Sequence, residues 1–233
     1  MSEVKYAPMK VEYIDHMGSD VNVVNAARVS FAKEATEFDL DKDTKLINYL
    51  AKHNHWSPLA HTSISIRVKA PIFMARQFVK HQIGLVWNEE SRRYIDDEIE
   101  FYQPAEWREK PSNVKQGSGG RVGTTSQDFL SSHYKDSIEQ AVYTYEVLLD
   151  SGVAPEMARM HLPLSAMTNW IWTGSLVAFA RIVKLRKEAH AQLEAQDLAE
   201  LIDQVVAPLY PVSWKALMEH MSEPVQIQLV ITD

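Results

Sequence analysis

The chain has no cysteine in its 233 residues, and that absence removes disulfides, thiolate metal sites, iron–sulfur clusters and any cysteine nucleophile together. It also lacks a long apolar run. A membrane-spanning helix needs about 20 consecutive apolar residues, and the richest stretch, Trp170 to Val183, is broken by Thr173, Ser175 and Arg181. The first residues carry Glu3, Lys5, Lys10 and Glu12 where a secretory signal would place an apolar core, so the expected compartment is the cytoplasm, with no membrane partner. Excess positive charge is missing too. The 24 Lys and Arg against 31 Asp and Glu give a formal charge of −7, which argues against a surface built wholly to hold nucleic acid. What is present, 45% hydrophobic and 24% charged residues, suffices for a real core, and one domain over residues 1–233 is expected.

Residue patterning supplies the elements. Lys10 to Asp15 reads as a first strand and Val21 to Lys33 as a helix entered through Asp20. Leu46, Ile47 and Leu50 recur at helical spacing within Asp41 to His53. From His61 to Lys69 polar and apolar residues alternate, the signature of a half-buried strand, and Pro71 follows at an expected first helical position. Pro104 to Ser126, with Gly117, Gly119, Gly120 and Gly123, reads as a long mobile loop. Helix returns over Gln127 to Leu149 and Pro155 to His161, a strand over Ala166 to Thr173, and helix in two pieces over Leu176 to Val206, then over Val212 to Met221. This order predicts an α+β fold with helices packed around a small antiparallel sheet.

Three clusters carry chemical signals. His53, His55 and His61 invite a metal reading, but no Glu/His helix motif accompanies them, and histidines at a helix end ordinarily serve as hydrogen-bonding groups; no metal is expected. The glycines at 117–123 have neither the register of a dinucleotide fingerprint nor the Gly-Lys-Ser/Thr end of a phosphate loop. The densest signal runs from Arg76 to Tyr94, where Arg76, Lys80, His81, Arg92 and Arg93 crowd one short stretch of an acidic protein. Guanidinium forks match phosphate oxygens, Ser91 can complete an anion cradle, and each charge-assisted hydrogen bond contributes about 1.5–3 kcal/mol. A solvated charged face is the rival reading; Trp87, Asn88 and Tyr94 interleaved among the cations suit a base or ring system better.

This segment resembles the signature of the flavin-dependent thymidylate synthases, Arg-His-Arg followed by Ser-x-Arg-Tyr. Here it stands as Lys80-His81-Gln82, an eight-residue spacer (83–90), then Ser91-Arg92-Arg93-Tyr94. Further blocks agree in order and spacing: Ala27 to Phe31, His55 to His61, Lys69 to Gln77, Ala158 to Leu164, Trp172-Thr173 and Leu185 to Gln192. Two signature arginines are replaced, by Lys80, which keeps charge without the planar fork, and by Gln82, which has none. Ser175 and Val177 replace an asparagine and an arginine common in the family, and Arg181 stands where asparagine is common.

The resemblance implies reductive methylation of dUMP to dTMP, with methylenetetrahydrofolate as carbon donor, FAD as hydride relay and NADPH as reductant. The missing cysteine agrees, because the unrelated class of thymidylate synthase attacks the ring with a thiolate. By the same resemblance Arg186 polarises the uracil. Gln77, Lys80, Ser91, Arg92, Arg93 and Arg159 surround the nucleotide, with Ser91 a ligand rather than a nucleophile. Ser30, His55, Ser57, Lys80, His81, Gln82, Ile83, Glu89, Arg181 and His190 meet FAD. A homotetramer with shared active sites is also implied. Two other readings stay open on the residues alone: a non-catalytic nucleotide or single-stranded nucleic-acid binding module using the cationic strip, and a metal-dependent hydrolase using His53, His55 and His61.

Overall fold

The computed structural model describes residues 4–94, 97–112 and 117–221. It opens with β1 (Lys5–Tyr6) and β2 (Lys10–Met17), followed by α1 (Asp20–Arg28), a 3-10 turn at Val29–Phe31 and α2 (Leu40–Lys52). Next, α3 (Ser57–Ala60) leads into β3 (Ser63–Pro71), which runs directly into α4 (Ile72–Phe78), and a tight turn then starts β4 (Leu85–Glu89). β5 (Glu100–Phe101), α5 (Thr124–Asp150), α6 (Pro155–Ala158) and a 3-10 turn at Arg159–His161 precede β6 (Met167–Gly174). Then come α7 (Leu176–Arg186), α8 (Leu193–Val206), a 3-10 turn at Ala207–Leu209 and α9 (Pro211–His220).

The four-stranded sheet is antiparallel throughout, in the order β2-β3-β6-β4, while β1 and β5 form a separate parallel pair. Its buried face follows from alternation: Ile64, Ile66, Val68 and Ala70 of β3 point inward, and Trp172 and Trp170 of β6 lie opposite Ile66 and Val68. Trp87 of β4 stacks on Trp170 with centroids 4.2 Å apart. Onto this face packs α7, buried on nearly every side through Leu176, Phe179, Ile182 and Val183, with Phe179 edge-on to Trp172. Ala195, Leu198, Ile202 and Val206 form the buried stripe of α8. A remote cap orients the end of the bundle, since the Asp20 carboxylate accepts from the backbone amides of Val212 and Ser213 at the start of α9. A smaller cluster joins Phe101, Ile138, Tyr145 and Ala166 beside α5.

The predicted α+β class holds, and four local expectations change. The helix expected over 21–33 stops at Arg28, because the chain tightens into the 3-10 turn and Ala32 takes a left-handed φ of +52°. Pro71 is the last residue of β3 and the cap before α4, at φ −66° and ψ 152°; proline's fixed φ suits either position, so composition did not separate them. Residues 104–126 contain pairing that the polar composition hid. Glu109 N–H donates to Gly120 O at 2.8 Å and Val122 N–H to Trp107 O at 3.0 Å, and the Gln127 side chain ties Trp107 to Val122. β4 was not foreseen either: an edge strand with only Leu85 and Trp87 turned inward is too short to show period two.

What this architecture does for the site is join α4 to β4 by residues 79–84 and press that turn against the start of α7. Gly84 sits at φ +75°, its carbonyl accepts from Ser175 N–H at 3.2 Å, and Gly174 lies so close that a Cβ there would be 2.5 Å from the Leu85 side chain and 2.7 Å from Gly84 O. Gly174→Ala should therefore lower stability by about 1–3 kcal/mol through overpacking against backbone, read as a drop in the urea midpoint with an unchanged slope.

Candidate functional site

Two groups of polar side chains and a cavity cluster around the residues 77–94. The first group gathers at the end of β4. Ser91 Oγ accepts from Arg93 Nε at 3.3 Å, from Arg93 N at 3.4 Å and from Arg159 Nη1 at 3.4 Å. Arg159 arrives from 68 residues away because the 3-10 turn after α6 runs beside this loop. Three donors at long distances share one weak acceptor, and no carboxylate among the described residues pairs with Arg93 or Arg159. An anion with several acceptor oxygens would satisfy them better than a hydroxyl does. Arg92 lines the same small cavity, about 120 Å³, with its Nη1 donating to Asp97 O at 2.5 Å. Glu89 and Glu90 line it too, held by Thr168 Oγ1 at 2.9 Å and Asn169 Nδ2 at 2.8 Å.

The second group lies where α7 ends against the turn after α4. Arg186 Nε donates to His81 Nε2 at 3.1 Å, and the guanidinium carbon is 5.6 Å from the centre of the Phe78 ring. Burial, and then the Arg186 charge, pull the His81 ring down to about 4, so it is neutral at physiological pH with its proton on Nδ1. Desolvation also lowers Arg186 from the ordinary guanidinium value. The result is a half-buried cation held by a neutral acceptor and an aromatic face. Its charge is not cancelled.

The cavity adjoins this pair. It measures about 470 Å³, and its walls include Lys80, His81, Gln82, Ile83 and Arg181. A neighbouring space of about 380 Å³ shares Ile83 and Arg181 and adds Trp56 and Ser175. Lys80 and Arg181 have no carboxylate partner among the described residues. Gln77, one turn before His81, donates from Nε2 to Gln192 Oε1 at 2.6 Å.

Sequence expectations thus sort by place. Ser91, Arg92, Arg93, Arg159 and Glu89 form one group, and His81 and Arg186 a second, with Lys80, Gln82, Ile83 and Arg181 around the cavity. His55 and Ser57 flank Trp56 of the adjoining space, His55 lying edge-on to Tyr49. Ser30 and His190 are exposed and line neither of these spaces. Within one chain the Ser91 group lines the smaller cavity, whereas Arg186 lines neither and meets the wall of the larger one through His81. Sequence reasoning missed Asn54, whose left-handed φ of +54° places it on the cavity wall, and missed Thr168 and Asn169; the polar residues interrupting an otherwise buried strand were their signal. Among the described residues no three His, Asp or Glu side chains are placed to share a metal ion.

Residues 12–212 match the family described as thymidylate synthase complementing protein. The chain belongs to the flavin-dependent thymidylate synthase family. It is 39% identical over 214 residues to the flavin-dependent thymidylate synthase of Thermus thermophilus, covering 91% of this chain and 77% of the relative. The enzyme of the same name from Anaplasma marginale is 36% identical over 215 residues, with 91% and 73% covered. Among solved structures, the UMP/dUMP methylase PolB of Streptomyces cacaoi bound with 5-Br dUMP superposes with a TM-score of 0.84 at 32% identity, covering 95% of this chain and all of that one. Membership sets aside the nucleic-acid module and the histidine hydrolase.

The residues present fit the flavin that the family uses. Lys80 and Arg181 would offer cations to a diphosphate, Gln82 an amide, and Ile83 and Leu85 apolar surface to a flat ring system.

The histidine gives a pH prediction. The unfolded ring titrates near 6.5 and the folded one at about 4, so the unfolded chain binds the extra proton between those values. The stability contributed by the neutral ring is complete above about pH 6.5 and is lost as pH falls through about 4. The denaturation midpoint should fall across this window in the parent chain, and His81→Gln, which keeps an acceptor but cannot titrate, should flatten that segment of the profile.

Proposed function

We propose that the chain methylates dUMP to dTMP reductively, taking the carbon from methylenetetrahydrofolate and the electrons from NADPH, without covalent attack by the protein. The observation that carries this reading is the convergence of Arg93 and Arg159 donors on Ser91, neither arginine being ion-paired with a described carboxylate although Glu89 and Glu90 line the same cavity, held by Thr168 and Asn169. They would hold the 5′-phosphate, with Arg92 beside it and Gln77 meeting the nucleotide from α4. FAD, when bound, relays a hydride between NADPH and the pyrimidine.

The chain's own contribution is electrostatic. Carbon 5 of uracil becomes nucleophilic as negative charge develops on the ring, and a fixed cation in a partly dry site stabilises that charge. Arg186 is suited to this, being half-buried and already oriented by His81. A carboxylate partner would cancel its field, whereas a neutral imidazole leaves it intact. Ser91 binds rather than attacks, since the groups around its hydroxyl are arginine donors, which cannot take up its proton. Lys80, His81, Gln82, Ile83 and Arg181 form the cofactor wall, joined by Ser30, His55, Ser57, Glu89 and His190 from their own or a neighbouring subunit.

A homotetramer in the cytoplasm is the assembly and compartment that fit this reading. Copies would bring the Ser91 group of one chain to the Arg186 of another. UMP is the second substrate to weigh, because the Streptomyces cacaoi protein is named for both nucleotides.

The deciding experiment is NADPH oxidation dependent on dUMP, with UMP in parallel and the methylated product identified by mass; no methylated nucleotide from either substrate would reject the reading. Arg186→Ala should keep FAD bound yet lose turnover by at least about 100-fold, in line with the loss of one electrostatic stabiliser. Unchanged turnover would remove that role. Arg93→Ala should raise the dUMP dissociation constant about tenfold or more, as loss of a charge-assisted hydrogen bond requires, and an unaltered titration would exclude the phosphate assignment.

A further inference from the structure

One buried ion pair has no part in the site as described. Glu194, at the start of α8, has a side chain only 5% exposed and accepts from Arg108 Nη2 at 2.5 Å. Arg108 comes from the segment after β5 and is itself fixed, its Nε donating to Ser118 Oγ at 2.8 Å. Burial pushes the Glu194 carboxyl up, but hydrogen bonds from Arg108, its own amide and Gln192 outweigh that and hold it below the usual range. A buried ion pair is a weak stabilising device, since two apolar side chains of similar volume commonly do as well. What apolar side chains cannot do is give direction to a hydrogen-bond chain.

Such a chain starts here. An ionised carboxylate only accepts, so Gln192 must turn its Nε2 toward Glu194, at 2.9 Å. That leaves Gln192 Oε1 as an acceptor facing Gln77, which must answer with its own Nε2, at 2.6 Å. The Gln77 amide therefore cannot flip without placing two acceptors face to face, and its carbonyl oxygen and second N–H remain for a ligand. Gln77 lies on α4 one turn ahead of His81, the partner of Arg186.

We propose that Arg108 and Glu194 are positioning residues for the nucleotide, fixing through Gln192 which end of the Gln77 amide is presented to it. This rests on the reading of Gln77 as a dUMP ligand given above. The two residues act through another side chain and need not touch substrate.

The test is a double-mutant cycle on the FAD-loaded full chain, with dUMP titrated calorimetrically and melting temperature and flavin content measured in parallel. Gln192→Leu cuts the chain while leaving the ion pair in place, and Glu194→Gln lets it run in the opposite direction. Each should weaken dUMP about tenfold, the scale of one well-made hydrogen bond. Neither should weaken it further once Gln77→Ala is present. Arg108→Lys, which keeps the charge on Glu194, should stay within about threefold of the parent.

Equal weakening with and without Gln77 would overturn the proposal, as would no weakening at all. Should Glu194→Gln fail to fold, Gln192→Leu decides the matter alone. If the unmutated chain does not bind dUMP, this inference and the function reading fall together; if it binds and the cycle is additive, only the positioning role is lost.

Discussion

A guanidinium donating to a neutral imidazole is the contact on which the rest of this site depends. Arg186 is half-buried, and a buried cation ordinarily acquires a carboxylate. Here its acceptor is the His81 ring, kept uncharged by desolvation and by the cation itself. The arrangement keeps a positive charge available in a partly dry environment, and the role proposed for Arg186, making a pyrimidine carbon reactive without a thiol, rests on it. Glu188 is on the wall of the same cavity but forms no ion pair with Arg186, and other acids take their cations elsewhere. Asp43 takes Arg28, while Asp203 and Glu200 take Lys187, all outside the walls of the His81 cavity.

The fold supplies this contact by close backbone approach. β3 passes straight into α4, and the turn after α4 is pressed between β6 and the start of α7, where Gly174 leaves no room for a side chain and Gly84 holds a left-handed φ of +75°. α7 then runs from that junction to end at Arg186, beside the turn that carries His81. One short turn thus faces the larger cavity, the cation and, through β4, the serine loop. The tryptophans of β4 and β6 stiffen the sheet beneath it.

Much of this was legible in the residues. Strict alternation from Ser63 to Lys69 gave β3, and the 3.6-residue spacing of Leu46, Ile47 and Leu50 gave α2, because one buried face leaves its period in the chain. Strand β4 and the pairing across residues 107–122 left no such trace. An edge strand buries two side chains, and the second pairing is made by backbone and the Gln127 amide, to which composition is blind. Asp20 begins α1, as its residue type suggested, and it also caps α9, nearly two hundred residues away, which nothing local announced.

By itself the sequence determined the chemistry on offer: no thiol, a concentrated set of arginines within an acidic chain, and a spaced motif marking the family. Those are properties of residue types and intervals, which survive without coordinates. Tertiary structure alone decided that Arg159 meets Arg93 over Ser91, that Arg186 rests on His81, and that Glu194 fixes the Gln192 and Gln77 amides in one direction. The reason is that hydrogen-bond polarity and desolvation depend on which groups share a few ångströms of low-dielectric space, and chain order does not specify that distance.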